Sequence, residues 1–139
     1  MRGPYYRILL AQAYAHAGNI DEGLKCLSEA LRIREQSGES WTDAEIHRIK
    51  GDLLLRKNDT SAAELSYQRA VSIAADQGAR SFELRSAMSL SRLWKGQKRH
   101  DRFAACLQKT LAKFGKNFDS SDLQEARSLL NDLSHRKAR

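Results

Sequence analysis

Apolar residues recur along this chain at spacings of three and four, the period of helices that bury one face. Ile8, Leu9, Ala11, Tyr14 and Ala15 form the first stripe and predict a helix from Pro4 to about Ala17. Pro4 suits its first position, where the missing N–H costs nothing. Gly18 then fits a left-handed helix end and Asn19 a cap, and Leu24, Leu27, Ala30 and Leu31 predict a second helix from Ile20 to about Ser37, ended by Gly38. Ile46, Ile49, Leu53 and Leu54 predict a third, capped by Ser40 with Asp43 three residues on, reaching about Lys57. Asn58, Asp59 and Thr60 make the next turn. Asp59 or Thr60 caps a fourth helix whose buried side is Ala62, Ala63, Tyr67, Ala70, Val71 and Ala74, and Gly78 stops it.

The fifth helix opens at Ala79 or Ser81 and runs to about Lys95, with Phe82, Leu84, Ala87, Leu90, Leu93 and Trp94 apolar. A basic turn, Gly96 to Arg99, lacks the Asn or Asp of the earlier two. A sixth helix follows from about His100 to Phe114, with Phe103, Ala104, Leu107 and Leu111 inward. After a break at Gly115 to Phe118, Asp119 or Ser120 caps a last helix to about Ser134, carrying Leu123, Ala126, Leu129, Leu130 and Leu133.

These stripes repeat every forty residues. Gly51 has Ala11 forty residues before it and Ser91 forty after; Ala63 has Gly23 and Phe103; Tyr67 has Leu27 and Leu107; Ala70 has Ala30 and Thr110. Small residues at fixed places in paired helices mark a stacked helical solenoid, with close contact at the small positions and filling at the large ones. The expected fold is therefore all-α: a right-handed solenoid of three hairpins, about 4–38, 44–78 and 84–115, over one domain spanning 1–139. A helix at about 120–134 caps the apolar end. The three hairpins should share a continuous interior. Phe103 and Thr110 stand where small residues are expected, so the third hairpin should splay more widely.

Charge adds a direction. The net charge is +7, and residues 1–40 hold five basic and five acidic residues, 41–80 six and six, and 81–139 thirteen and six, so the last segment supplies all of it. A one-sided basic end fits an acidic partner, an acidic neighbouring domain or weak nucleic-acid attraction, or else a solvated surface. No apolar run approaches the roughly 20 residues of a membrane span, and the first six residues lack a signal-peptide core, so no membrane contact and a cytoplasmic location are expected. Cys26 and Cys106 occupy equivalent places two repeats apart, beyond the reach of a disulfide; they read as small buried hydrophobes.

The second hairpin resembles a tetratricopeptide repeat. Gly51, with Ala11 and Ser91, supplies the small crossing position; Tyr14, Leu54 and Trp94 the large one a turn later; Gly23 and Ala63 the small one opening the second helix; Leu27 and Ala30, Tyr67 and Ala70, Leu107 and Thr110 the large–small pair. The period exceeds that family's roughly 34 residues, which implies longer helices and links. Ala44 to Leu55, Ala75 to Arg85 with Ser89 to Trp94, and Phe118 to Leu123 with Ala126, Leu129 and Leu130 are further similar to the C-terminal repeat region of bacterial adenylate-cyclase/ATPase-type multidomain signalling regulators. That resemblance implies a sensor or regulatory scaffold. The P-loop pattern of an ATPase is absent, so no ATPase or cyclase chemistry is expected of this chain.

No catalytic, cofactor or metal constellation stands out. His16, His47, His100 and His135 lie in no metal-ligand spacing, and no G-x-S-x-G occurs. Glu45 and Asp52 flank Arg48 at helical spacing, which fits an ion-pair ladder better than an acid/base pair. In the family the first helices of the hairpins line a concave groove. Carried over, its places are Tyr5, Ile8, Gln12 and His16; Glu45, Arg48, Asp52 and Arg56; and Arg85, Met88, Arg92 and Lys95. Such a groove, apolar at its start and basic at its end, could hold an acidic peptide through arginine forks; the alternative is that Arg85 and Arg92 pair with Glu83, Asp52 or the last helix. Glu45 and Asp52 depart from the clamp that some relatives use for chaperone tails.

The expected function is a protein–protein interaction scaffold, not an enzyme, with a protein or acidic peptide as partner. A basic nucleic-acid-associated module is the alternative; no aromatic stacking residues lie among its cations. Tyr5, Tyr6, Ile8 and Leu9 on the uncapped first helix could also pair two copies about a two-fold axis. Trp41, between the first two hairpins, would plug a loop or meet another domain.

Overall fold

The computed structural model of the chain describes residues 4–37, 42–114 and 120–137, seven helices and no strand among them. They are α1 (Pro4–His16), α2 (Ile20–Ser37), α3 (Asp43–Arg56), α4 (Thr60–Asp76), α5 (Arg80–Gly96), α6 (His100–Leu111) and α7 (Ser121–Lys137). Successive helices pack as antiparallel hairpins, and α1, α3, α5 and α7 also pack side by side, α1 on α3, α3 on α5 and α5 on α7. The fold is an all-α solenoid in which α7 takes the first-helix place of a further hairpin.

The forty-residue period is visible in the backbone. Gly18, Asn58 and Lys98 all have positive φ, at +85°, +64° and +61°. Each ends a first helix in the same way: the next residue's N–H bonds back to the carbonyl of Tyr14, Leu54 or Trp94, at 2.8, 2.9 and 2.8 Å. This left-handed cap satisfies carbonyls that a helix end leaves open. Glycine and asparagine enter it readily. Lys98 does so at a steric cost, because the turn must reverse the chain at the same height as its neighbours.

The crossings follow the small residues. Gly51 is buried under the ring of Tyr67, and a Cβ there would lie 2.5 Å from Cε1. Ala11, Ala63, Ala70 and Ala87 are wholly buried. The interior is nevertheless divided, where one continuous core was expected. Ile8, Ala11, Leu27, Ile46, Ile49 and Leu53 belong to one cluster, and Tyr67, Leu84, Met88, Trp94, Leu107 and Leu123 to another. Helix α3 feeds both, because Leu54 and Leu55 turn toward the second cluster.

Several helix ends differ from expectation. α3 begins at Asp43 after Thr42, whose side chain caps nothing. α6 stops at Leu111, α7 continues past Ser134 to Lys137, and Arg99 precedes α6 without a side-chain cap. Asp59 accepts the Ala62 N–H at 3.3 Å and Ser120 the Leu123 N–H at 3.2 Å, so both cap as their chemistry predicts. Gly38, Ser40, Trp41 and the segment 115–119 lie outside the described residues, as do the side chains of Tyr5, His100, Phe103 and Leu133, and with Phe103 the expected splay of the third hairpin. Cys26 is buried in the first cluster, and the half-buried Cys106 packs against the second.

Candidate functional site: the concave face

The first helices present their groove residues along one face. Three cavities run along it. One of about 510 Å³ lies between α1, α3 and α5, against Leu9, Gln12, Glu45, Arg48, Phe82 and Arg85. A smaller one of about 180 Å³ follows toward the helix ends, against Gln12, Asp52 and Arg56. A third of about 500 Å³ lies against Asp52, Tyr67, Ser89 and Arg92. Gln12 links the first two and Asp52 the last two, so they make one track.

The cations in this track are balanced by carboxylates. Arg48 donates from Nε and Nη2 to the two Glu45 oxygens, at 3.0 and 2.9 Å, and lies 3.6 Å from Asp52. The ladder expected from their spacing is present. Tyr67 adds to it, its hydroxyl donating to Asp52 at 2.5 Å. Burial pushes the Asp52 carboxyl up, against the lowering effect of the Tyr67 hydroxyl and Arg48. Burial and the same hydrogen bond push the Tyr67 phenol far above its ordinary range. At neutral pH Tyr67 is therefore a fixed donor, and the four groups form a knot on the groove floor.

Helix α7 neutralises the other end. Arg85 stands between Glu45 at 3.9 Å and Asp122 at 3.7 Å, and Arg92 is hydrogen-bonded to Glu125. Pairing with the last helix was the alternative that the sequence left open, and it is the arrangement observed. Arg56 reaches across to α1, donating to the Ala15 carbonyl at 2.5 Å, where it ties two first helices together. Lys95 is half-buried and makes no ion pair with a described residue. Met88, carried over as a groove residue, belongs instead to the core with Leu123 and Ala126, because α7 covers it. Ile8 is likewise buried in the first cluster, with one edge on the cavity between α1, α3 and α5.

Tyr67, a filling residue by sequence, and Phe82, outside the expected groove places, both line the track. The register carries part of the charge pairing: Glu45 and Arg85, forty residues apart and opposite in sign, meet at 3.9 Å, whereas the α7 partners Asp122 and Glu125 stand out of register with Arg85 and Arg92. Among the described residues no group of histidines, cysteines and carboxylates could hold a metal ion. None of the described helices is long and apolar enough to cross a membrane.

The sequence pattern of the Tetratricopeptide repeat family matches residues 5–76, a little over half of the chain. With the hairpins, crossings and concave face described above, the chain belongs to the tetratricopeptide-repeat family. Among solved structures it is similar to BtubC (BKLC) from P. vanneervenii, with a TM-score of 0.78 at 19% identity, covering 97% of this chain and 56% of that one. It therefore spans little more than half the length of that protein. It is also similar to the first such domain of Spaghetti (RPAP3), solved bound to the HSP90 peptide SRMEEVD, with a TM-score of 0.70 at 13% identity, covering 98% of this chain and 96% of that one. No curated protein shows significant similarity to the sequence.

Proposed function

We propose that this chain is a protein–protein interaction scaffold that holds a peptide segment of its partner along the concave face. The observation that carries the reading is the state of Arg85 in the cavity between α1, α3 and α5. Its guanidinium is 3.9 Å from Glu45 and 3.7 Å from Asp122, too far for hydrogen bonds, and its side chain is 44% exposed. Its donors thus remain available to a partner carboxylate, beside an apolar wall of Leu9 and Phe82. A preformed surface of this kind binds with little ordering cost. The Spaghetti domain, of the same fold, is solved with a peptide bound, which supports a peptide as occupant.

The finer reading is a regulatory repeat region of a bacterial signalling protein. It rests on the resemblance of the segments Ala44–Leu55 and Ala75–Arg85 to that class of regulator. Charge balance favours a partner segment with one carboxylate among apolar side chains over a strongly acidic one, since Glu45 and Asp122 repel further anions.

Immobilised chain should retain a partner from native lysate that Arg85→Glu and Leu9→Asp variants lose. Leu9 is 48% exposed, so neither change should disturb the core. Retention of the same proteins by parent and both variants, or of none by the parent, overturns the reading.

A further inference from the structure

The second hairpin differs from its neighbours on the side of α3 away from the groove. Lys50 stands where the first and third hairpins have Leu10 and Leu90, and Ser66 where they have Cys26 and Cys106. Lys50 and Ser66 both line a cavity of about 510 Å³ between α3 and α4, together with His47, Leu54, Leu65 and Arg69. No carboxylate lines it. Neither Lys50 nor Arg69 makes an ion pair or hydrogen bond with a described residue, in contrast to Arg48, Arg85 and Arg92 in the groove.

His47 is 8% exposed and also lacks a hydrogen-bond partner among the described residues. Burial, with Arg69 and Lys50 nearby, pushes its imidazole down to about 4. It is therefore neutral at pH 7 and offers one N–H donor. Leu65, at 68% exposure, is the most exposed large apolar side chain described, and it borders the same cavity.

Two cations without an ion pair among the described residues, a buried neutral imidazole and an exposed leucine define a ligand with an anionic group next to an aliphatic one. We infer that the α3–α4 cavity is a second docking site, on the face opposite the groove, for an acidic–aliphatic segment of a protein partner. Lys50 and Arg69 contact its carboxylates, and Leu54 and Leu65 its aliphatic side chains. An anion bound here displaces no carboxylate of the chain, whereas one bound in the groove competes with four. This site stands or falls independently of the concave one.

Isotope-labelled full chain is titrated with a blocked hexapeptide alternating glutamate and leucine, and separately with inorganic phosphate. The peptide should shift the amide signals of Lys50, Leu65, Ser66 and Arg69, and raise the His47 titration midpoint toward neutrality. The pair Lys50→Glu with Arg69→Glu should weaken the affinity read from the Lys50, Leu65, Ser66 and Arg69 signals or their substitutes at least tenfold, while Arg85→Glu, which acts on the groove, leaves the affinity read from those four signals unchanged. Lys50→Met with Arg69→Met keeps the aliphatic stems and serves if the charge-reversed pair fails to fold. The proposal is overturned if the peptide shifts only groove signals such as Gln12 and Arg85, or if the methionine pair binds like the parent. Phosphate binding as strongly as the peptide overturns the role given to Leu54 and Leu65.

Discussion

Arg48 and Arg92 lie on the same concave face, four residues apart in repeat register, and each meets a carboxylate. Their surroundings differ. Arg48 and Glu45 are 16% and 13% exposed at the side chain, and the buried Tyr67 and the half-exposed Asp52 complete a knot with them. Arg92 and Glu125 are 49% and 57% exposed. The register explains the contrast. Position 48 has Ile8 forty residues before it and Met88 forty after, both in the core. Arg48 thus occupies a floor position that is apolar in the other two hairpins, and its charge needs partners there. Arg92 sits higher on the wall, where water solvates it. Two ion pairs of similar geometry should therefore differ in what they do for the fold.

The largest effect should come from opening the knot. Arg48→Met should cost about 3 kcal/mol, because Glu45 and Asp52 are left without their cation in a half-buried site; a urea midpoint like the parent's would show that the knot is not holding the groove floor. Acid should act on the same hairpin from its other side. His47 keeps its imidazole down at about 4 when folded, against 6.5 as the ordinary value. The unfolded chain then binds a proton that the folded chain refuses, so the contribution is complete above pH 6.5 and is lost as pH falls toward 4. The loss should be on the order of 2 kcal/mol, and His47→Leu should flatten that part of the stability profile. An unchanged profile in the variant would rule out His47 as its source.

Tyr67→Phe isolates one hydrogen bond of the knot while keeping the ring over Gly51. It should cost about 1 kcal/mol, since the Asp52 carboxylate, 43% exposed at the side chain, loses a donor that water replaces in part; thermal melts resolve a change of this size. The smallest effect should follow Arg92→Gln, under about 1 kcal/mol, as for other exposed pairs. A loss there as large as that of Arg48→Met would erase the contrast drawn between floor and wall.

The hairpins were legible because their causes are local. Stripes at helical spacing, Gly18 and Asn58 at helix ends, and the forty-residue return of Gly51, Tyr67 and Ala70 each report on neighbouring chain. The ladder of Glu45, Arg48 and Asp52 was legible for the same reason, being one helix's own spacing. Met88 was misplaced because its burial depends on α7, a helix far along the chain. The availability of Arg85 and the closure of Arg92 also depend on Asp122 and Glu125 of that helix. The cavity beside His47 required two helices to be seen together.

By itself the sequence determined that the chain would form seven helices, that six of them would pair, and that the pairs would stack with one period. Backbone geometry and the alternation of small and large residues act over a few turns, and they leave few other solutions. Only the tertiary structure decided how the interior divides at α3 and which charges are sated. Burial and ion pairing depend on distances between helices that no local pattern specifies, and those distances set whether an arginine supports the fold or remains open to a partner.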